Sequence, residues 1–245
     1  MPETITVVLV HGAFAESASW NGVLTHLHST GIAAVAAPNH LRSVTTDAEN
    51  VRRIVDSLGG PVLLVGHSYG GTVITEAAAD DRNVKGLVFV AGFAPDHGET
   101  SLGLTNKFPG STLGDTIRAI PLDDGTNDLV VDRDLFPEQF AADIPPAEAQ
   151  IAAITQRPIR DFALNEPQPA PHASWKTLPT WFIYGSADKN IPPAGLRFMA
   201  ERAGSLSTVE IGGASHSVMV SHPDAVASLI AAAVTHLTGP VSGEF

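Results

Sequence analysis

The chain has 245 residues, 44% of them hydrophobic and 16% charged, enough to bury one large core as a single α/β unit. Its formal net charge of −12 argues against nucleic acid or an anionic membrane surface as a partner, and the absence of cysteine excludes disulfides, a thiol nucleophile and thiolate metal sites. No apolar run approaches a bilayer span and the start Met1-Pro-Glu-Thr4 lacks the basic segment of a signal peptide, so a soluble, cytoplasmic protein is expected.

Residues 5–10 form a short β-branched run without alternation, which predicts a central strand covered on both faces and ending at His11-Gly-Ala-Phe14. Residues 17–29 predict a helix that buries Trp20, Val23, Leu24 and Leu27, closed by Gly31. Residues 32–37 are the next strand, stopped by Pro38; 41–46 read as loop and 47–58 as helix, with Val51, Ile54, Val55 and Leu58 on one side. The apolar run 62–65 then meets Gly66-His-Ser-Tyr-Gly70 and leads into residues 72–79, which have the composition of a helix. Residues 84–91 read as another buried strand. Strands alternating with helices in this way predict a mostly parallel, doubly wound sheet.

That alternation breaks between residues 95 and 178, a stretch rich in Pro, Gly and Asp. Helices are expected over 112–119, 137–142 and 146–156, with a hairpin where Asp124-Gly125 separates two short apolar runs. So long an insertion reads as a helical cap over the carboxyl edge of the sheet. Residues 1–94 and 179–245 are assigned to the core and 95–178 to the cap, within one domain. The pattern resumes with strands at 180–185 and 207–211, helices at 192–203 and 222–237, and a tail after Thr238 that is expected to fray.

The strand, turn and helix around Ser68 read as a nucleophile elbow, in which only glycines at 66 and 70 leave room for so sharp a turn. A serine hydroxyl needs a base, and the base an orienting acid. In an open parallel sheet these meet on loops at the carboxyl ends of strands, which selects Asp188 after the 180–185 strand and His216 after the 207–211 strand. Asp96 is the rival acid and His222 the rival base; Asp96 also reads as a turn residue and His222 as the start of the last helix. The Tyr69 N–H is the expected first donor to a tetrahedral oxyanion, and the Ala13 N–H the second. Phe14 and Trp175 are candidate pocket walls. No histidine spacing suits a metal, and none is inferred.

His11-Gly-Ala13, Gly66-His-Ser-Tyr-Gly-Gly71, Ala91-Gly-Phe-Ala-Pro-Asp96, Asp188-Lys-Asn-Ile-Pro192 and Gly213-Ala-Ser-His216 together resemble the landmarks of the α/β-hydrolase superfamily. Within it, the chain is similar to the branch of plant methyl esterases and hydroxynitrile lyases, with their bacterial esterase relatives. The resemblance covers almost the whole chain and is weakest in the cap. It implies the α/β-hydrolase fold, a triad of Ser68, Asp188 and His216, oxyanion donors at Ala13 and Tyr69, and no cofactor. Lyases of this branch carry a lysine after the histidine, where this chain has Ser217; perhydrolase relatives often have Met where it has Tyr69. Asn39-His-Leu-Arg-Ser43 replaces the branch's usual Asp-Leu-x-Gly run, with no chemical consequence legible in the sequence. A serine esterase for small, largely apolar esters is therefore expected. A ligand-binding protein that keeps the triad, or a lyase or perhydrolase, stands as the alternative, and the oligomeric state is left open.

Overall fold

The computed structural model describes residues 4–239. Its first half runs β1 (Thr6–Val10), α1 (Asn21–Ser29), β2 (Ala34–Ala37), α2 (Val44–Leu58), β3 (Val62–His67), α3 (Tyr69–Ala77) and β4 (Val84–Val90). The middle segment carries α4 (Ser101–Thr105), β5 (Ile117–Pro121), β6 (Asn127–Val131), α5 (Phe136–Phe140), α6 (Pro146–Thr155), β7 (Ile159–Arg160) and α7 (Asp161–Asn165). The chain returns through β8 (Thr180–Gly185), α8 (Pro193–Arg202), β9 (Ser207–Ile211), α9 (Val218–Ser221) and α10 (Pro223–Thr238).

Six strands pair in parallel in the order β2-β1-β3-β4-β8-β9. The chain winds outward from β1 to β2, then crosses back to β3, so the winding reverses between β1 and β3. A crevice opens at the carboxyl ends of two such strands, and here it lies between the loop after β1 and the turn after β3. β1, β3 and β4 are almost wholly buried, as unbroken Val/Leu runs require. The edge strands differ from the expectation of burial on both faces: three of the four residues of β2 and all five of β9 stay partly or fully exposed. Helix α2 also begins earlier than its apolar spacing implies, because the Ser43 hydroxyl accepts the Thr46 N–H and caps it.

The segment between β4 and β8 is not a purely helical cap. It holds an antiparallel sheet in the order β5-β6-β7, with short helices around it. Residues 112–119, expected to be helical, form a 3-10 turn at Leu113–Thr116 and then enter β5. Cross-strand pairs such as Ile117 with Val131 and Ala119 with Leu129 outweigh the local helical tendency. The hairpin turn does fall at Asp124-Gly125, with Gly125 at φ 82°. Polar ties hold the segment to the core: Arg42 to Asp128 at 2.6 Å and to the Pro158 carbonyl at 2.9 Å, and Arg202 to Glu99 at 2.6 Å. Glu76 on α3 accepts from Gln168 Nε2 at 3.0 Å and from the Ala170 N–H at 2.9 Å.

Among the described residues no helix is long and apolar enough to cross a membrane. The frayed tail expected after Thr238 lies, beyond Gly239, outside the described residues.

Candidate active site

Ser68 sits between β3 and α3 with φ 53° and ψ −123°, a backbone conformation that costs a side-chain-bearing residue on the order of 1–3 kcal/mol. Its surroundings enforce this. The Ser68 N–H donates to the Val90 carbonyl at 3.2 Å, and its carbonyl accepts from Gly71 at 2.9 Å and Phe93 at 3.1 Å. A methyl group at position 66 would lie 2.5 Å from the Gly70 carbonyl oxygen, and one at position 70 would collide with the Val10 carbonyl. Both obstacles are backbone, so only glycine lets α3 start this close to β1 and β3.

Asp188 follows β8 and His216 follows β9, and the two side chains meet. His216 Nδ1 lies 2.6 Å from Asp188 Oδ2, with both groups buried. The other carboxylate oxygen of Asp188 accepts the N–H groups of Asn190 at 2.8 Å and Ile191 at 2.9 Å. A carboxylate there assigns the imidazole proton to Nδ1 and leaves Nε2 unprotonated. That nitrogen is buried and has no hydrogen-bond partner among the described residues. His67, within the elbow, steadies the same loop: its Nε2 donates to the His216 carbonyl at 3.1 Å, and the two rings are 4.8 Å apart. Burial, then the neighbouring His216, holds the His67 pKa well below that of a free imidazole, so the ring stays neutral.

The loop after β1 is shaped by a residue whose task is not legible in the sequence beyond its place in a motif. His11 is fully buried; its Nδ1 donates to the Gly12 carbonyl at 2.9 Å, while its Nε2 accepts the Asn39 N–H at 3.1 Å. Burial lowers its pKa to about 4, which keeps the ring in the neutral form these partners require. A trans peptide points its C=O and N–H in opposite directions, so fixing the Gly12 carbonyl also fixes the Ala13 N–H. Neither the Ala13 nor the Tyr69 N–H has a hydrogen-bond partner among the described residues. Asn39 also donates from Nδ2 to the His11 carbonyl at 2.9 Å, which gives the unusual Asn39–Ser43 run a structural task. Phe14, at φ 58°, is held by its N–H bond to the Arg157 carbonyl at 3.2 Å.

Ser68, His216, Ala13, Tyr69 and Phe14 all line one cavity of about 260 Å³. Its remaining walls combine apolar side chains, among them Phe93, Leu102, Ile117, Leu129, Phe140 and Leu164, with polar ones such as Thr105, Asn106 and Asn165, and neither lysine nor arginine lines it. Asp115 is its one carboxylate. The other expected wall, Trp175, is not there. Its indole N–H donates to the Pro95 carbonyl at 2.8 Å, and its ring lies beneath Arg202 and Lys176, at the base of the inserted segment. A buried indole needs a partner for its N–H, and this carbonyl supplies one away from the cavity. The rivals are also remote in role: Asp96 pairs with Lys176 at 2.6 Å, and His222 lies 3.6 Å from Asp143. Among the described residues no group of three or more His, Asp or Glu side chains could hold a metal ion.

Fold and site together define a class, and a family model agrees: residues 7–229 match the alpha/beta hydrolase family, to which the chain belongs. Among particular proteins, the chain is 26% identical to an α-hydroxynitrile lyase of Arabidopsis thaliana, over 93% of this chain and 96% of that one. It is 35% identical to a carbendazim hydrolyzing esterase of Nocardioides sp. (strain SG-4G), over 41% of this chain and 47% of the esterase. A solved methylesterase from Arabidopsis superposes with a TM-score of 0.81 at 16% identity, covering 95% of this chain and all of its own. These relatives lie in the plant methylesterase and hydroxynitrile lyase branch and among bacterial esterases.

Proposed function

We propose that the protein is a serine hydrolase that cleaves small, largely apolar carboxylic esters through an acyl-enzyme on Ser68. The observation that carries this reading is His216, whose Nδ1–H is committed to Asp188 while its unpartnered Nε2 belongs to a side chain sharing a cavity with Ser68. In this mechanism Nε2 takes the hydroxyl proton as Ser68 Oγ attacks the ester carbonyl. The Ala13 and Tyr69 N–H groups receive the oxyanion, and His216 returns the proton to the departing alcohol. Water, deprotonated by the same nitrogen, then attacks the acyl-enzyme and releases the acid. Asp188 holds the ring in the tautomer the first step needs and stabilises the imidazolium that follows.

Similarity to an α-hydroxynitrile lyase makes cyanohydrin cleavage the second reading. A departing cyanide is stabilised by a fixed cation, and no lysine or arginine lines the cavity. Ser217, which stands after the histidine, donates its hydroxyl to the Phe140 carbonyl at 2.9 Å and is not among the cavity's walls. Ester hydrolysis is therefore the better fit.

The test is hydrolysis of p-nitrophenyl butanoate together with a fluorophosphonate probe mapped by mass spectrometry. Labelling at Ser68, and loss of at least about a thousandfold in kcat for Ser68→Ala, is the expected result. Turnover that survives in Ser68→Ala would overturn the mechanism. Tight ligand binding with no turnover in the unaltered protein would favour a receptor instead.

A further inference from the structure

A second cavity, of about 280 Å³, lies against the first. Phe14 and Phe140 line both. Their rings meet edge to face, 6.2 Å apart at an interplanar angle of 89°. One comes from the core loop after β1 and the other from α5 of the inserted segment, so the partition is a pair of side chains with no backbone hydrogen-bond ladder across it. Beyond it the walls are largely apolar, including Phe136, Ile144, Ile151, Ala152, Met219 and Val220. Glu16 and Glu148 line the same space and disfavour a carboxylate-terminated chain there.

We infer that the second cavity is a subsite of the same centre, which receives the far end of an uncharged alkyl chain of the ester once the chain displaces the Phe14–Phe140 contact. This rests on the serine hydrolase reading. Phe140 stacks on Phe136 at 4.9 Å and meets the His216 ring edge to face at 4.8 Å, so it is a specificity-determining side chain placed beside the reacting groups. Each methylene that passes the partition and leaves water raises kcat/KM by about fourfold.

The experiment fills the second cavity from either side, with Ala152→Phe on α6 and Ala18→Trp on the 3-10 turn Ser17–Trp20 that precedes α1. The substrates are p-nitrophenyl butanoate and decanoate, which lengthen the acyl side, and butyl and decyl acetate, which lengthen the alcohol side. The expected result is that both variants lose at least tenfold in kcat/KM for the long member of one series while the short member stays within twofold. The series that suffers identifies which half of the ester enters. Phe140→Ala should shift preference the other way, towards the long member of that series. Equal treatment of long and short esters by both filling variants would overturn the inference. Fluorophosphonate labelling of Ser68 is followed in every variant. Labelled protein with an unchanged chain preference sinks this subsite alone, whereas unlabelled parent protein that still hydrolyses esters sinks the Ser68 acyl-enzyme mechanism beneath it.

Discussion

Asp47, His11 and His67 are buried around the elbow, and their ionisation acts on stability with opposite signs. Burial is the main reason the Asp47 carboxyl is raised to about 6 from 3.8, although it accepts the Tyr69 hydroxyl at 3.0 Å and the Arg42 N–H. A raised acid binds its proton more tightly when folded, so its contribution is favourable below pH 3.8 and is lost as pH rises through about 6. The histidines run the other way: His11 titrates near 4 when folded and near 6.5 when unfolded, so its stabilising contribution is lost as pH falls across that window. His67 is shifted in the same direction. Each of the two effects with a stated window is worth about 3 kcal/mol, and they partly offset one another. Asp47→Asn keeps an acceptor for Tyr69 and removes one side of that balance. Between pH 7 and pH 4 the Tm of the variant should fall more steeply than that of the parent; parallel curves would mean that Asp47 does not titrate in this range.

At the scale of elements, Glu166 does the work of a helix cap from a distant part of the chain. Its carboxylate accepts the Val44 N–H at 2.5 Å and the Thr45 hydroxyl at 2.7 Å, at the start of the 15-residue α2. It therefore satisfies an orphan donor, complements the helix dipole and ties the inserted segment to the core. Glu166→Ala should cost about 1–3 kcal/mol in urea unfolding with an unchanged m value, and Glu166→Gln should recover about half of that. A loss below about 0.5 kcal/mol would show that water replaces the carboxylate. No pattern in the sequence signals this contact, because 122 positions separate Glu166 from Val44. Legibility divides along the same line. β1, β3 and β4 could be read because burial on both faces leaves an unbroken apolar run, Ser68 and Asp188 because each follows such a strand, and His216 because it follows β9 at the same carboxyl edge of the sheet. The exposed pairs of β5 and β6 and the two-residue β7 carry no such run. The β5–β6 hairpin is local and its turn is legible, but β7 joins it from some way along the chain, and the placement of Trp175 depends on contacts with Pro95 and Arg202 that no sequence pattern signals.

For the molecule as a whole, the reversal of winding between β1 and β3 puts the cavity where the loop after β1, the elbow and the inserted segment converge. The inserted residues supply most of its distal wall, so the position of the cavity was legible while its lining was not. Electrostatics at this scale point in one direction. The chain carries a net charge of −12, the cavity has no lysine or arginine, and Asp115 brings a carboxylate that forms no ion pair among the described residues. An anionic ester is therefore repelled both on approach and once bound, whereas a neutral ester of similar size is not. Screening length falls from about 30 Å at about 0.01 M salt to about 10 Å at about 0.1 M, so long-range repulsion is largely removed across that range. Monomethyl succinate, with its free carboxylate, should gain several-fold in kcat/KM over that change, while methyl butanoate stays constant. Asp115→Asn should raise the activity on monomethyl succinate further at low salt and leave methyl butanoate unaltered. If the anionic ester loses activity as salt is added, an attractive field governs the site, and a cationic group outside the cavity walls must outweigh the acidic surface.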